Sequence, residues 1–337
     1  MIDFRSDTVT QPTQAMLEEM FQAKLGDDVY GDDPSVNELE SWAAKRHGFE
    51  AALFCSSGTQ ANLLALMAHC ERGDEYLCGQ QAHNYKFEGG GAAVLASIQP
   101  QPIENEADGT LCFKKLKSAI KPQDSHFANT RLLSLENTIN GKVISTQYLK
   151  QAREFVDEHG LALHLDGARV YNASVALNRD VAELTQYFDS VSICLSKGLG
   201  APVGSILLAN NALIAKARRW RKVLGGGMRQ AGILAKAGLY ALQNNVDRLK
   251  EDHENAKYLA FELNKLSAFH LTPEFVETNI VFAKIDENIN QIALVKALLE
   301  HNIVISQGQP MRFVLHQDIS RNDVDLLIKQ LKVYLTA

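Results

Sequence analysis

The sequence is poor in cysteine and has no long apolar run, and both absences exclude classes of protein. Five cysteines occur in 337 residues, namely Cys55, Cys70, Cys78, Cys112 and Cys194. Because their number is odd and none forms a C-x-x-C pair, we predict reduced thiols rather than a zinc or redox site, and no metal. No stretch approaches the ~18 apolar residues of a membrane span, and charged residues occur within the first seven positions. We therefore expect a cytoplasmic protein with no membrane partner.

The chain also lacks an excess of positive charge. It has 34 lysines and arginines against 40 aspartates and glutamates, a net charge of -6. The nearest basic run, at residues 218–222, is short, so a nucleic-acid partner is not expected. What is present is an ordinary globular mixture, 46% hydrophobic and 22% charged, long enough for two domains.

From residue 51 onward, short apolar runs alternate with amphipathic segments of helical length. This alternation predicts an α/β fold with a mainly parallel sheet covered by helices. The predicted strands are residues 51–55, 75–78, 92–98, 131–135, 161–165, 190–195 and 203–208. Between the fourth and fifth strands we predict a helix that has Thr146 as its N-cap and ends at Gly160.

The C-terminal quarter has a different balance of elements. After helical patterns at residues 228–244 and 246–266, we predict strands near 279–284 and 311–315 and helices near 289–300 and 321–335. This composition is typical of a small α+β domain. We therefore predict an N-terminal arm at residues 1–15, a large domain at 16–245 and a small domain at 246–337.

A first cluster of small polar residues, residues 56–62, lies between an apolar strand and an amphipathic helix. A turn of this kind that opens a helix presents free backbone N–H groups and the positive end of the helix dipole, which suit a phosphate. An ordinary helix N-cap would show the same sequence pattern. The stretch has neither nucleotide-loop pattern, G-x-x-x-x-G-K-[ST] or G-x-G-x-x-G, so a nucleotide loop is not supported.

Two further polar groups end apolar strands. Asp166 could hold a pyridine nitrogen in its protonated form, or it could be only the N-cap of a helix. Lys197 could supply an amine for a Schiff base, or its side chain could simply extend to the surface. The interval between them, 197 − 166 = 31 residues, is about one βα unit, so the two side chains can converge on one crevice. With the phosphate-binding turn upstream, these residues predict a pyridoxal 5'-phosphate site.

The sequence resembles a known family over nearly its whole length. The matching stretches are residues 3–10 (DFRSDTVT), 26–34 (GDDVYGDDP), 57–62 (SGTQAN), 135–138 (LENT), 165–169 (LDGAR), 196–200 (SKGLG) and 225–230 (GGGMRQ). They are similar to motifs of the low-specificity L-threonine aldolases, in the β-eliminating-lyase group of fold type I pyridoxal-phosphate enzymes. One departure is Ile139, which stands where a histidine is expected.

The resemblance implies a role for each matching residue of the cofactor site. Lys197 would be the Schiff-base lysine and Asp166 the partner of the pyridinium nitrogen. The remaining cofactor residues would be Ser57, Gly58 and Thr59 at the phosphate, His83 stacked on the ring, and Arg169 beside the phenolic oxygen. Lys222 and Arg229 resemble residues that reach the phosphate of a neighbouring subunit.

The substrate site follows from the same resemblance. Ser6 and Arg312 would take the substrate carboxylate, a task suited to a guanidinium, with Tyr30 and Arg169 also near the substrate. His83 and His126 match active-site histidines, and either of them or an ordered water could take the β-hydroxyl proton. Because some of these residues would come from a second subunit, the site would be completed only in a dimer, and the family resemblance implies a homotetramer.

The implied reaction is cleavage of the Cα–Cβ bond of L-threonine and L-allo-threonine, a small-molecule β-hydroxy-amino acid, to glycine and acetaldehyde. Two alternatives remain open at this point. One is a β-eliminating lyase that acts on another amino acid and releases an oxoacid and ammonia. The other is a non-catalytic protein that kept the fold, although Lys197, Asp166 and Arg312 are all retained.

Overall fold

The computed structural model describes residues 1–336. Its strands are β1 (Ile2–Asp3), β2 (Ala51–Cys55), β3 (Asp74–Gly79), β4 (Gln99–Ile103), β5 (Asn129–Glu136), β6 (Ala162–Asp166), β7 (Ser190–Cys194), β8 (Ser205–Ala209), β9 (Phe269–His270), β10 (Ile280–Ile285), β11 (Ile303–Val304) and β12 (Met311–Val314).

The helices lie between and after these strands. They are α1 (Gln14–Phe21), α2 (Pro34–His47), α3 (Gly58–His69), α4 (His83–Lys86), α5 (Gly91–Ala96), α6 (Phe113–Ala119), α7 (Thr146–His159), α8 (Val170–Leu177), α9 (Val181–Thr185), α10 (Asn211–Val223), α11 (Gly232–Asn244), α12 (Leu249–Leu263), α13 (Gln291–Glu300) and α14 (Arg321–Thr336). Two short 3₁₀ helices cover Asp7–Val9 and Pro273–Phe275.

Seven strands form the main sheet, in the order β2-β8-β7-β6-β5-β3-β4. The β4-β3-β5-β6-β7 part is parallel, whereas β8 runs antiparallel to both β7 and β2. Strands β3, β7 and β8 are buried along their whole length, as expected of strands with both faces of the sheet covered. The predicted α/β class with a mainly parallel seven-stranded sheet is confirmed.

One of the seven predicted strands is wrong. Residues 92–98 mostly form helix α5, and the strand at this edge of the sheet is β4, Gln99–Ile103. The other six predicted strands overlap strands of the main sheet. Pro100 and Pro102 make β4 a poor strand by composition, but within residues 1–336 β4 pairs only with β3. An edge strand tolerates prolines because one row of its backbone groups needs no partner.

The predicted crossover helix exists as α7, with one correction at its start. Ser145, and not Thr146, is the N-cap, because the Ser145 side chain accepts a hydrogen bond from the backbone N–H of Tyr148. Gly160 ends the helix in the left-handed conformation, with φ 65°, as expected of a C-terminal glycine.

The C-terminal part has its own sheet and hydrophobic cluster. Strands β12, β10 and β9 form an antiparallel sheet, and α12, α13 and α14 contribute buried apolar side chains to the same cluster. The N-terminus joins this cluster, since β1 pairs with β11 and Phe4 is fully buried there. The four elements predicted after residue 278 are therefore present as β10, α13, β12 and α14. None of the helices within residues 1–336 is both long and apolar enough to cross a bilayer.

Candidate active site

The parallel strands β5, β6 and β7 end side by side, and this edge collects the polar groups. Glu136 is the register partner of Asp166, and Asp166 is the register partner of Ser192. Lys197 follows β7 after two residues and is half-buried. Burial raises the pKa of Glu136 and the nearby Lys197 charge opposes that shift, while the same charge contributes to the lowered pKa of Asp7. The structure therefore brings Lys197 and Asp166 to one crevice, as their spacing predicted.

Both carboxylate oxygens of Asp166 accept hydrogen bonds. Its Oδ2 accepts from Nδ2 of Asn62 at 2.7 Å, and its Oδ1 accepts from the backbone N–H of Ala168 at 3.0 Å. The side chain is 3% exposed. Since helix α8 begins at Val170 with Arg169 as its N-cap residue, Asp166 is not the cap of that helix. Its carboxylate is fixed in place at the end of β6 by these two hydrogen bonds.

The predicted phosphate-binding turn is the N-terminus of α3. Ser57 caps this helix, because its Oγ accepts from the backbone N–H of Gln60 at 3.1 Å. A Cβ on Gly58 would lie 2.6 Å from Sγ of Cys194, so the absence of a side chain lets α3 approach the end of β7. Thr59 is exposed. The turn is thus a true helix cap, and it also opens toward the edge that carries Lys197.

Arg169 is committed to a buried ion pair. Its Nε and Nη2 donate to the two oxygens of Asp7 at 2.8 and 2.7 Å, and Asp7 is fully buried. Asn279, from the C-terminal part, also donates to Asp7 at 3.2 Å. Burial alone would raise the pKa of Asp7, but the Arg169 guanidinium holds that pKa well below its ordinary range. Asp7 was not predicted as a site residue, although it lies in the matched stretch 3–10.

Ser6 and Arg312 lie on neighbouring segments. Ser6 caps the 3₁₀ helix Asp7–Val9, and Nη1 of Arg312 donates to the carbonyl of Arg5 at 3.3 Å. Burial, together with the nearby Arg169 charge, lowers the pKa of Arg312, and Asp7 opposes this shift. Within residues 1–336, no carboxylate lies within 4.0 Å of the Arg312 guanidinium nitrogens. Its charge is therefore available for an anionic ligand.

His83 opens helix α4 beside the same edge. Its Nδ1 lies 2.8 Å from Oε1 of Glu88, and its backbone N–H donates to Oε2 of Glu136 at 2.8 Å. Asn62 donates to Glu88 as well as to Asp166. The site therefore includes three residues that sequence reasoning did not assign. Asn62 and Glu136 lie inside matched motifs, whereas Glu88 lies in none and had no signal of its own.

Three of these groups could in principle surround a cation. The ligand atoms of His83, Glu88 and Asp166 lie within 4.8 Å of one another. Each of them, however, already takes part in the hydrogen bonds just described, which explains the clustering without an ion. Glu136 adds a further carboxyl, whose pKa is raised by burial and by the charge of Asp166.

His126 is the one predicted histidine that the structure does not bring to this edge. It lies in the loop between α6 and β5, with 82% of its side chain exposed. Its Nδ1 pairs with Asp124 at 2.5 Å, and it makes no hydrogen bond to the residues above within the described chain. The predicted contact of His126 with substrate remains a prediction.

Tyr30, Lys222 and Arg229 form a separate surface group. Arg229 donates to Asp27 at 2.8 Å, and its guanidinium lies 5.9 Å from the centre of the Tyr30 ring. Tyr30 is 77% exposed, and Lys222 is exposed on α10. The loop that carries Arg229 also contacts Gln60 in α3, through Gly226. These three side chains therefore lie near the start of α3 but face outward from this subunit.

Comparison with known proteins identifies the family. Residues 3–288 match the family described as beta-eliminating lyase. The low specificity L-threonine aldolase of Escherichia coli (strain K12) is 57% identical over 324 residues, which are 96% of each chain. Low-specificity L-threonine aldolase 1 of Arabidopsis thaliana is 44% identical over 96% of this chain and 93% of the relative.

Solved structures show the same fold. The threonine aldolase of Leishmania major superposes with a TM-score of 0.84 over the whole of both chains, at 21% identity. A putative L-allo-threonine aldolase of Listeria monocytogenes gives 0.78 over 95% of this chain and 92% of its own, at 24% identity. The predicted fold type I architecture is thereby confirmed. From the family match and the identity to these relatives, the chain belongs to the beta-eliminating lyase family and, within it, to the low-specificity L-threonine aldolases.

Proposed function

We propose that this chain cleaves the Cα–Cβ bond of L-threonine and L-allo-threonine to give glycine and acetaldehyde. The observation that carries this proposal is the convergence of Lys197, Asp166 and His83 at one edge of the sheet. The identity to curated threonine aldolases supports it. The predicted cofactor, pyridoxal 5'-phosphate, is the cofactor of this family.

The residues at this edge fit such a cofactor. Asp166 presents a buried carboxylate whose oxygens are already oriented by Asn62 and Ala168, as a protonated ring nitrogen requires. The open N-terminus of α3, with Ser57, Gly58 and Thr59, fits a phosphate. When bound, the cofactor supplies an electron sink for the electrons of the broken bond. Lys197 is the amine of this edge that would hold it covalently.

The substrate carboxylate fits Arg312. This arginine is half-buried, has no carboxylate partner among residues 1–336 and lies beside the segment that carries Ser6. Arg169 is less available, since Asp7 already occupies its Nε and Nη2. A carboxylate fixed by a guanidinium cannot rotate freely, so the Cα–Cβ bond is held in one orientation.

The direct test is a product assay on purified protein. Incubation with L-threonine or L-allo-threonine is expected to release glycine and acetaldehyde in equal amounts. Lys197→Ala should lower the rate by about three orders of magnitude or more, because the amine is lost. The exposed Lys250→Ala is the matched control and should retain full activity. An oxoacid with ammonia as products would instead favour the β-elimination alternative.

We also propose that the active unit is a homotetramer with shared sites and that it works in the cytoplasm. The surface group of Tyr30, Lys222 and Arg229 supports a shared site, because these residues lie near α3 yet are exposed on the surface of this subunit. Analytical ultracentrifugation tests the assembly. Fractionation of cells that express the protein tests its location.

A further inference from the structure

Glu88 is a buried carboxylate with an unusual set of partners. Its side chain is 4% exposed, and its Oε1 lies 2.8 Å from Nδ1 of His83 and 2.8 Å from Nδ2 of Asn62. Within residues 1–336, His83 is its one ion-pair partner, with no lysine or arginine at salt-bridge distance. A buried carboxylate needs such partners, since isolation from water without them is costly. The ion-pair partner of Glu88 is therefore the imidazole of His83.

Asn62 fixes the orientation of Glu88. Its Oδ1 accepts from Oγ of Ser192 at 2.6 Å and lies 3.3 Å from Nε2 of His164. Its Nδ2 therefore carries the two hydrogens, one donated to Glu88 and the other to Asp166. Since every donor and acceptor of this amide is used, the amide cannot flip without losing several hydrogen bonds. Oε1 of Glu88 is thus held as an acceptor that faces His83.

This arrangement selects one tautomer of His83. An imidazole is ordinarily a stronger base than a carboxylate, with pKa values of about 6.5 and 4.3, so the proton between them stays on Nδ1. The main chain of His83 is also held, because its N–H donates to Glu136. Nε2 has no hydrogen-bond partner among the described residues, and 41% of the side chain is exposed. Nε2 is therefore the free nitrogen of the neutral ring.

The charges around His83 define what Glu88 contributes. The hydrogen bond that His83 donates to Glu88 is the largest influence and raises the pKa of His83, while burial lowers that pKa. Asp166 raises it further and Lys197 lowers it. Burial raises the pKa of Glu88 itself, and the His83 and Asn62 hydrogen bonds counteract this. Removing the charge of Glu88 should therefore make His83 a weaker base.

From this geometry, and resting on the function proposed above, we propose that Glu88 is a positioning residue for the reaction. It holds His83 in the Nδ1–H tautomer, so that the unprotonated Nε2 accepts a hydrogen bond from the β-hydroxyl of the substrate. Glu88 itself touches neither substrate nor cofactor. Without it, the ring would turn freely, and Nε2 would carry the proton and lose its acceptor lone pair.

Two substitutions separate the charge of Glu88 from its hydrogen bond. Glu88→Gln keeps an acceptor oxygen for His83 and Asn62 but removes the charge, whereas Glu88→Ala removes both. The imidazole ¹⁵N shifts of the cofactor-loaded enzyme report the tautomer and pKa of His83, assigned with a His83→Asn variant. We expect Glu88→Gln to keep the Nδ1–H tautomer with a lower pKa. Glu88→Ala should shift the ring to the Nε2–H tautomer.

An unchanged tautomer in Glu88→Ala would overturn the proposal. If that variant fails to fold, an unchanged pKa of His83 in Glu88→Gln would overturn the proposal instead. The exposed Glu104→Gln is the matched control and should alter neither quantity.

Kinetics give a second readout on the same proteins. Glu88→Ala should lower kcat/KM for threonine about tenfold, with partial recovery in Glu88→Gln and little change in cofactor affinity. An equal loss in both variants, with the tautomer retained, would show that Glu88 acts only on folding. Absence of glycine and acetaldehyde from the unsubstituted enzyme would overturn the proposed function, and the tautomer measurement would still decide the role of Glu88.

Discussion

The pairing of Asp7 with Arg169 connects three parts of the chain through one carboxylate. Asp7 comes from the N-terminal segment, Arg169 follows β6, and Asn279 precedes β10. The pair is buried, so removal of either partner leaves an uncompensated charge or donor in the interior. The contact therefore stabilises the position of the N-terminal segment, including Ser6, beside the crevice.

We expect Asp7→Asn to lower the free energy of unfolding by about 3 kcal/mol, because the Arg169 guanidinium would remain buried without a counter-charge. Urea unfolding at neutral pH measures the change. The exposed Asp32→Asn is the control and should alter stability by less than about 0.5 kcal/mol. A loss of the same small size in both variants would contradict the importance of the pair.

The same residue gives a dependence of stability on pH. The pKa of Asp7 in the folded chain lies below its ordinary value of 3.8. Its contribution to stability is therefore complete above that value and is lost as the pH falls through the lowered pKa. Between about pH 4 and pH 2, the stability of the unsubstituted protein should fall more steeply than that of Asp7→Asn. Parallel slopes would contradict this assignment.

At the level of single residues, the sequence predicted the polar residues at the ends of strands but not the residues that hold the site in place. Lys197 and Asp166 were recognisable because each ends an apolar run, and parallel strands end at the same edge. Glu88 and Asp7 could not be assigned a role in this way. Asn62 lies 26 positions from Glu88 and Arg169 lies 162 positions from Asp7, so local pattern carries no information about these contacts. His83 is only 5 positions from Glu88, but this spacing is not the i, i+3 or i, i+4 spacing that pairs side chains on a helix.

At the level of elements, the errors have local causes. The apolar residues of α5 resemble those of a strand in composition, which explains the wrongly predicted strand. The prolines of β4 argue against a strand in the sequence, and they are tolerated because β4 lies at the edge of the sheet. At α7, Ser145 and Thr146 are both good N-cap residues, and only the hydrogen bond to Tyr148 distinguishes them. The buried strand β8 was predicted correctly, since burial on both faces leaves an unbroken apolar run at residues 206–209.

The contact between the start of α3 and the end of β7 gives an element-level prediction. We expect Gly58→Ala to cost about 1–3 kcal/mol in stability and to weaken binding of pyridoxal phosphate, because the added methyl group would collide with Cys194 and displace the helix N-terminus. Urea unfolding and titration of the apoprotein with the cofactor measure the two effects.

A double variant and a control make this test specific. Gly58→Ala combined with Cys194→Ala should recover part of both losses, since the colliding sulfur is removed. Gly91→Ala places its methyl 3.7 Å from Leu63, an ordinary contact, and should be close to neutral. Unchanged stability and cofactor affinity in Gly58→Ala would show that the close approach of α3 to β7 does not require glycine at this position.

At the level of the whole molecule, the crevice is bounded by segments distant in sequence. Arg312 stands on β12, beside the N-terminal residues that pair with β11 and pack in the C-terminal cluster. The phosphate-binding turn and Lys197 belong to the main sheet. A shift of the C-terminal part relative to that sheet would move Arg312 relative to Lys197, so the geometry of substrate binding depends on how the two parts pack.

The outward direction of Lys222 leads to a prediction about assembly. If Lys222 serves the crevice of a neighbouring subunit, a subunit that lacks Lys197 can still donate its Lys222 to a partner whose own Lys197 is intact. Co-expression of Lys197→Ala and Lys222→Ala chains should then form hybrid dimers in which one of two sites is complete.

With random pairing, half of the dimers are hybrids and half of their sites are intact, so about a quarter of full activity should return. Each variant expressed alone should have far less, and mixing the purified homo-oligomers without subunit exchange is the control. If Lys222 instead acted within its own subunit, a Lys222→Ala chain could complete no site. Hybrids would then show no more activity than the average of the two parents, because neither chain would hold both lysines that its site needs.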